Sequence, residues 1–200
     1  MNLKKEVPDK GAGMANKKVC VFGSYKSFEN KEKESIVTLG RLLVEKGFDV
    51  VSGGFGGTME DVSRGAKASG GKTIGVTYYK WENISEKPLY KGPNKYIDEE
   101  IRTQNIFERI DVMMKNAHAF IVLPGGTGTL LELACCLEFI NKGLMEPKPI
   151  IALGDFWKNT LKTLAKEPVL SKLSKSSRNA TSCYDLVTFA ATVEQAVFLL

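Results

Sequence analysis

The chain has 200 residues, 43% of them hydrophobic and 26% charged, with a formal net charge of +5, which suits one domain with a sizeable core. Eleven of its 28 lysines and arginines lie in two short regions, 4–18 and 158–178, and there is no basic stripe interleaved with aromatics, which argues against a nucleic-acid polymer as partner. Cysteines without a Cys-x-x-Cys pair and a single histidine argue against a metal site and for a reduced, cytoplasmic setting, and no apolar run approaches the roughly 18 residues of a membrane span.

Residues 1–16 carry lysines with no apolar stretch after them, so they read as a disordered leader and not a secretory signal, with one folded domain over 17–200. Lys18–Phe22 is a short apolar strand that runs into a loop at Gly23-Ser24. Ile36, Leu39, Leu42 and Leu43 recur at helical spacing within Asn30–Lys46, Gly47 closes that helix, and Phe48–Val51 is the next strand, completing a βαβ unit. The loop that follows, Ser52–Gly57, has four glycines in six residues. Thr58 with Asp61 is predicted to cap a helix running to about Ala68. The glycines Gly53, Gly54, Gly56 and Gly57 suit contact with a phosphate or ribose, or a steric need for a tight strand-to-helix turn.

Lys72–Thr77 is a third strand, and Tyr78–Asp98 mixes aromatics, charges and two prolines without period, the pattern of a loop that forms a wall or lid. Glu99–Asn116 is predicted as a helix, with Ile106, Ile110, Met113, Met114 and Ala117 as its apolar stripe and Arg102, Asn105 and Arg109 along another face. After the central motif, the segment from Leu130 to Ile140 is apolar almost all round, so a helix there is expected to be buried on every side, partly against a second subunit. Pro149–Gly154 is a strand, Phe156–Lys166 a helix, Leu186–Ala190 a last strand and Val193–Leu200 a last helix. Such alternation predicts an α/β, Rossmann-like doubly wound parallel sheet with helices on both faces.

The most informative stretch is 119–132. An apolar strand from Ala119 to Leu123 stops at Pro124, and the turn Gly125-Gly126-Thr127-Gly128-Thr129 follows, with Thr129 as the expected N-cap of the next helix. Strand, glycine turn and helix N-terminus together aim backbone N–H groups and the positive end of a helix dipole at one small volume, which suits a phosphate. Thr129-Leu130-Leu131-Glu132 is equally a capping box, in which Glu132 would only bond back to its own helix start. The spacing is neither a dinucleotide fingerprint nor a Walker A loop.

Pro124 to Glu132 resembles the PGGxGTxxE signature of the Lonely Guy (LOG) family, once widely labelled lysine decarboxylases. Ser52 to Met59 resembles the family's first glycine loop, and Phe107-Glu108-Arg109 stands where the family carries an arginine motif, so the resemblance spans roughly Lys17 to Leu164. Phe107, Ile110 and His118 replace the histidine, lysine and aspartate usual in the family; a structural role is expected of His118. The resemblance implies hydrolysis of the N-glycosidic bond of a nucleoside 5′-monophosphate, AMP or a cytokinin riboside monophosphate, to free base and ribose 5-phosphate, by a homodimer without cofactor or metal.

Breaking that bond develops positive charge on the sugar, which a carboxylate stabilises. Glu132 would bind ribose or orient and deprotonate the attacking water. Arg109, implied as the second catalytic residue, stays protonated at working pH and is assigned to positioning and charge stabilisation. Substrate and phosphate contacts are expected from Gly23, Ser24, Gly53, Gly54, Gly56, Gly57, Thr58, Arg102, Pro124, Gly125, Gly126, Thr127, Gly128 and Thr129. The competing reading is a non-catalytic carrier of a nucleotide or of molybdenum cofactor, which would need the anion donors but not the Arg109 and Glu132 pair. Lysine decarboxylation would need pyridoxal phosphate on a lysine, and neither glycine loop has one beside it except Lys72, which opens a strand.

Overall fold

Strand β1, Lys17–Phe22, lies at the middle of the sheet because its apolar run has no polar face to leave in water. Val19 and Val21 point to one side and Cys20 and Phe22 to the other, and all four are buried. The computed structural model describes residues 16–78, 92–166 and 182–200. In these, β1, β2 (Phe48–Ser52), β3 (Thr73–Tyr78), β4 (Glu99–Thr103), β5 (Ala119–Val122), β6 (Ile150–Leu153) and β7 (Val187–Ala190) form one sheet in the order β4-β3-β2-β1-β5-β6-β7. Every pairing is parallel.

Helices cover both faces, as a Rossmann-like fold requires. On one side α1 (Asn30–Glu45), α2 (Thr58–Ala68) and α6 (Val193–Phe198) bury Leu39, Val62 and Ala196 against Val19, Val21 and Ile121. On the other, α3 (Ile106–Asn116), α4 (Thr127–Asn141) and α5 (Lys158–Leu164) bury Met113, Cys136 and Leu161 against Cys20, Phe22 and Phe120. Helices α1 and α2 approach so closely that a Cβ on Gly65 would stand 1.8 Å from the Val37 carbonyl oxygen. The chain builds outward from β1 to β4 and then returns to place β5 on the other flank of β1. That reversal opens a crevice beyond the carboxyl ends of β1 and β5, where open α/β sheets bind ligands.

Several sequence expectations change here. Glu99–Thr103 is not helix but the edge strand β4, in register with β3 through Thr77 and Arg102. The helix begins only at Ile106, because the Asn105 side chain accepts from the Glu108 N–H at 2.9 Å while the Glu108 carboxylate accepts from the Gln104 N–H at 2.7 Å. The common face drawn through Arg102, Asn105 and Arg109 therefore does not exist. Helix α2 has no side-chain cap from Thr58 or Asp61: its N-cap is Gly57, the Thr58 hydroxyl donates to the Ser24 carbonyl at 3.1 Å, and Asp61 accepts from the Ser27 hydroxyl. Asn16, assigned to the leader, donates to Asp49 at 3.0 Å; residues 1–15 lie outside the described residues, as do 79–91 of the expected wall or lid. His118 stands at the start of β5, away from the glycine turn, where its Nδ1 accepts from the Lys18 N–H at 3.0 Å. Among the described residues no helix is long and apolar enough to cross a membrane.

Candidate active site

Both glycine turns and the Gly23-Ser24 turn come together at the carboxyl edge of the sheet. Gly23 follows β1, Gly53–Gly57 follow β2, and Pro124–Gly126 follow β5. The Leu123 N–H donates to the Phe22 carbonyl at 2.9 Å, and the Trp157 indole N–H donates to the Leu123 carbonyl at 2.9 Å, so the chain is held on two sides just before Pro124. Gly125 is required by crowding: a Cβ there would lie 2.2 Å from the Thr129 hydroxyl oxygen.

Helix α4 starts at Thr127 with Gly126 as its N-cap, so Thr129 is inside the first turn and not the cap. This removes the capping-box alternative, since Glu132 is then a turn too far along the helix to reach the N-cap amide. Three features leave the helix start open to an anion. No side chain caps its N–H groups. A Cβ on Gly126 or Gly128 would meet nothing within 4 Å. The Thr129 hydroxyl, although buried, has no hydrogen-bond partner among the described residues.

Below that turn, α3 and α4 each bring one charged side chain to the same spot. Arg109 and Glu132 are both 7% exposed, and the Arg109 Nη1 lies 3.4 Å from Glu132 Oε1. The guanidinium is held on its other sides as well. Its Nε donates to the Val76 carbonyl at 2.8 Å, its Cζ lies 5.5 Å from the centre of the Phe55 ring, and a Cβ on Gly53 would stand 1.8 Å from Nη2. Gly53 is thus a close-approach position, whereas Gly54 and Gly57 are glycines because their φ angles are 76° and 70°.

Burial raises the Glu132 carboxyl from the ordinary 4.5 to about 7, with Arg109 opposing the rise. The desolvation cost of the charged form outweighs the attraction of its partner. A carboxylate poised there can take a proton from water near neutral pH. The thiols of Cys20, Cys135 and Cys136 around it are pushed up, chiefly by burial, and stay protonated.

The two helix starts at this edge differ electrically. Glu60 and Asp61 stand in the first turn of α2, whose Thr58 N–H is already taken by the Ser24 carbonyl at 3.0 Å. The first turn of α4 has no acidic residue. Of the expected contacts, Arg102 lies on the edge strand β4 and not on a shared helix with Arg109, with its guanidinium 3.8 Å from Glu100. Phe55, Val76, Asn94 and Trp157 complete the site's frame; of these only Phe55 stands inside a motif, the first glycine loop, and its neighbours there are the glycines that draw attention in the sequence.

Comparison with known proteins follows the same lines. The model of the SLOG cluster4 family matches residues 16–183. The chain is 30% identical over 166 residues to a probable cytokinin riboside 5′-monophosphate phosphoribohydrolase, LOG4, of Oryza sativa subsp. japonica, an alignment covering 80% of this chain and 69% of that protein. It is 36% identical over 123 residues to the cytokinin riboside 5′-monophosphate phosphoribohydrolase of Mycobacterium marinum, covering 60% of each. Two further rice relatives, named LOG and LOGL5, are spanned over only 53% and 46% of their own lengths. Among solved structures, the molybdenum cofactor binding protein of Rippkaea orientalis shares the fold at a TM-score of 0.65 and 24% identity, with 93% of this chain and 96% of that one covered.

Proposed function

Because the chain belongs to the LOG family, in the branch described as SLOG cluster4, we propose that it hydrolyses the N-glycosidic bond of a nucleoside 5′-monophosphate to free base and ribose 5-phosphate. The observation that carries this reading is the buried Arg109 and Glu132 pair beneath an uncapped helix start. A carrier needs the anion donors alone, and nothing in binding requires a carboxylate with a pKa raised to about 7 under a phosphate site.

In the reaction, the 5′-phosphate accepts hydrogen bonds from the N–H groups at the start of α4 and from the Thr129 hydroxyl, and the helix dipole favours its charge. Gly126 and Gly128 leave the volume it fills. Glu132 faces the anomeric carbon. As the bond from C1′ to the base nitrogen breaks, its electrons leave with the base and the sugar becomes cationic, which the carboxylate offsets. Water adds its oxygen to C1′ and loses a proton to Glu132, while the departing base nitrogen takes up a proton from solvent, so that one water is consumed for each base released. Arg109, enclosed by Val76, Phe55 and Gly53, works through Glu132: it limits the carboxyl's rise in pKa and fixes its direction.

The same reading includes a homodimer formed through α4. Leu131 is 38% exposed and Ala134 is exposed one turn on, and Phe107, at the start of α3, is 74% exposed.

The test is chromatography of free base after incubation with AMP, the other nucleoside monophosphates and isopentenyladenosine monophosphate. Base is released by the wild type and not by Glu132→Gln. Retention of a phosphate-bearing pterin, with no base released from any of these nucleotides, would overturn the hydrolase and identify a carrier.

A further inference from the structure

Four of the six residues from Ser52 to Gly57 are glycines, and glycine gives a loop its greatest conformational freedom. The side chain this loop contributes to the site, Phe55, nevertheless packs against the Arg109 guanidinium, with the ring centre 5.5 Å from Cζ. Something outside the loop must fix it.

Asn94 does so with three hydrogen bonds. Its backbone N–H donates to the Gly54 carbonyl at 2.7 Å, and its carboxamide Nδ2 donates to the same carbonyl at 3.2 Å and to the Phe55 carbonyl at 2.9 Å. Those two carbonyls belong to the peptide planes on either side of the Phe55 Cα. Peptide groups are planar, and with both planes held, φ and ψ of Phe55 are set and so is the direction of its Cα–Cβ bond. The carboxamide is itself oriented, since its Oδ1 accepts from the Tyr96 N–H at 3.1 Å.

Resting on the hydrolase reading above, we propose that Asn94 is a positioning residue of the site: it pins the two carbonyls flanking Phe55, holds the aromatic ring on Arg109, and through Arg109 sets the approach of that guanidinium to Glu132. The chain of contact runs from Asn94 to the loop carbonyls, from the Phe55 ring to Arg109 Cζ at 5.5 Å, and from Arg109 Nη1 to Glu132 at 3.4 Å. Arg109 has a second tether in the Val76 carbonyl, so loss of the ring lets the guanidinium swing about Nε and away from the carboxylate without unfolding α3. The other ionisable groups around Glu132 are the thiols of Cys135 and Cys136 on α4 and Cys20 on β1, which burial keeps neutral. Burial and Arg109 together set the Glu132 titration, so on altering Asn94 an upward move reports lost contact with Arg109 and a downward move reports water reaching the carboxyl.

The experiment compares wild type, Asn94→Ala, Phe55→Leu and the double variant, all checked for folding by circular dichroism. Asn94→Ala lowers kcat about 10-fold to 100-fold, the range a misplacement on the order of 1 Å produces, with KM changed far less. Phe55→Leu does the same, and the double variant is no worse than the weaker single, because both remove one contact. Independently of turnover, carbon-13 NMR of labelled glutamate follows the Glu132 carboxyl, identified by its absence in Glu132→Gln; its midpoint, about 7 in the wild type, moves upward in Asn94→Ala. Unchanged kcat and midpoint in folded Asn94→Ala, or additive losses in the double variant, would overturn the proposal. If the wild type releases no base while the midpoint still moves upward, the positioning role stands and the hydrolase reading falls; a downward move would overturn the positioning role.

Discussion

Glu132 offers a test in which the sign as well as the size is set by the structure. Burial holds its carboxyl at about 7 in the folded chain against 4.5 as the ordinary value, so the folded state binds the proton more tightly than the unfolded state does. Between those values the unfolded chain has lost a proton that the folded chain keeps, and stability falls as pH rises. The contribution is complete below pH 4.5 and lost as pH passes through about 7. Each tenfold in proton affinity is worth about 1.4 kcal/mol, so the whole change is roughly 3 kcal/mol. The perturbation is Glu132→Gln, which keeps the shape and an acceptor for Arg109 but has no proton to lose. Urea unfolding of both proteins at intervals from pH 4.5 to 8 gives two stability curves, and subtracting them cancels every group they share. The wild-type advantage is expected to shrink by roughly 3 kcal/mol across that range and then level off. A flat difference would mean that Glu132 keeps its ordinary affinity. A difference that grows with pH would mean that Arg109 outweighs burial, and the argument for a neutral-pH base would fail with it.

Two further substitutions test the rest of the site. Gly128 lies within α4, where an added Cβ would meet nothing within 4 Å, so Gly128→Ala should stabilise the free protein by about 0.5 to 1 kcal/mol through helix propensity. The same methyl enters the volume assigned to phosphate, so KM for the nucleotide should rise at the same time; a variant that is more stable with KM unchanged would move the phosphate elsewhere. For the dimer, Leu131→Asp puts a charge on the exposed stripe of α4, and sedimentation should show the wild type as a dimer and the variant as a monomer with the same circular dichroism. A monomeric wild type would refute the α4 interface.

What the sequence revealed followed from how local each signal was. The strand at 119–122, the glycine turn and α4 could be read because apolar run, proline stop and helix start all point the same way within a dozen residues. Glu99-Glu100-Ile101-Arg102-Thr103 does not read as a strand because it has neither a buried run nor clean alternation, since among the described residues β4 is the edge of the sheet and most of it is exposed. The correcting signal was present in Asn105 and Glu108, a cap and its acidic partner that mark a helix start in mid-segment. A threonine before an apolar run is usually a cap, but here Gly126 occupies the N-cap position without capping, and the Thr129 hydroxyl is left inside the turn. The meeting of Arg109 with Glu132, and of Asn94 with Phe55, joins residues far apart in the chain through the sheet, and no local pattern encodes such a meeting.

The two glycine turns look alike in sequence, yet the charges beside them give them different work. At α2, Glu60 and Asp61 already complement the helix dipole and the Ser24 carbonyl occupies the Thr58 N–H, so an incoming phosphate would meet like charge and a depleted set of donors. At α4 neither is true, and the only carboxylate nearby, among the described residues of that helix's first two turns, is Glu132, held partly protonated near neutral pH and faced by Arg109. A dianion and a catalytic carboxylate can share one helix only if the carboxylate's charge is checked in this way, and Arg109 checks it only while Gly53 leaves room for Nη2 and Phe55 backs Cζ. On the proposed reaction the first glycine turn serves from behind the arginine, with glycine needed for close approach at Gly53 and for backbone angle at Gly54 and Gly57, while the second turn opens a helix with no side-chain cap and no acidic residue in its first turn.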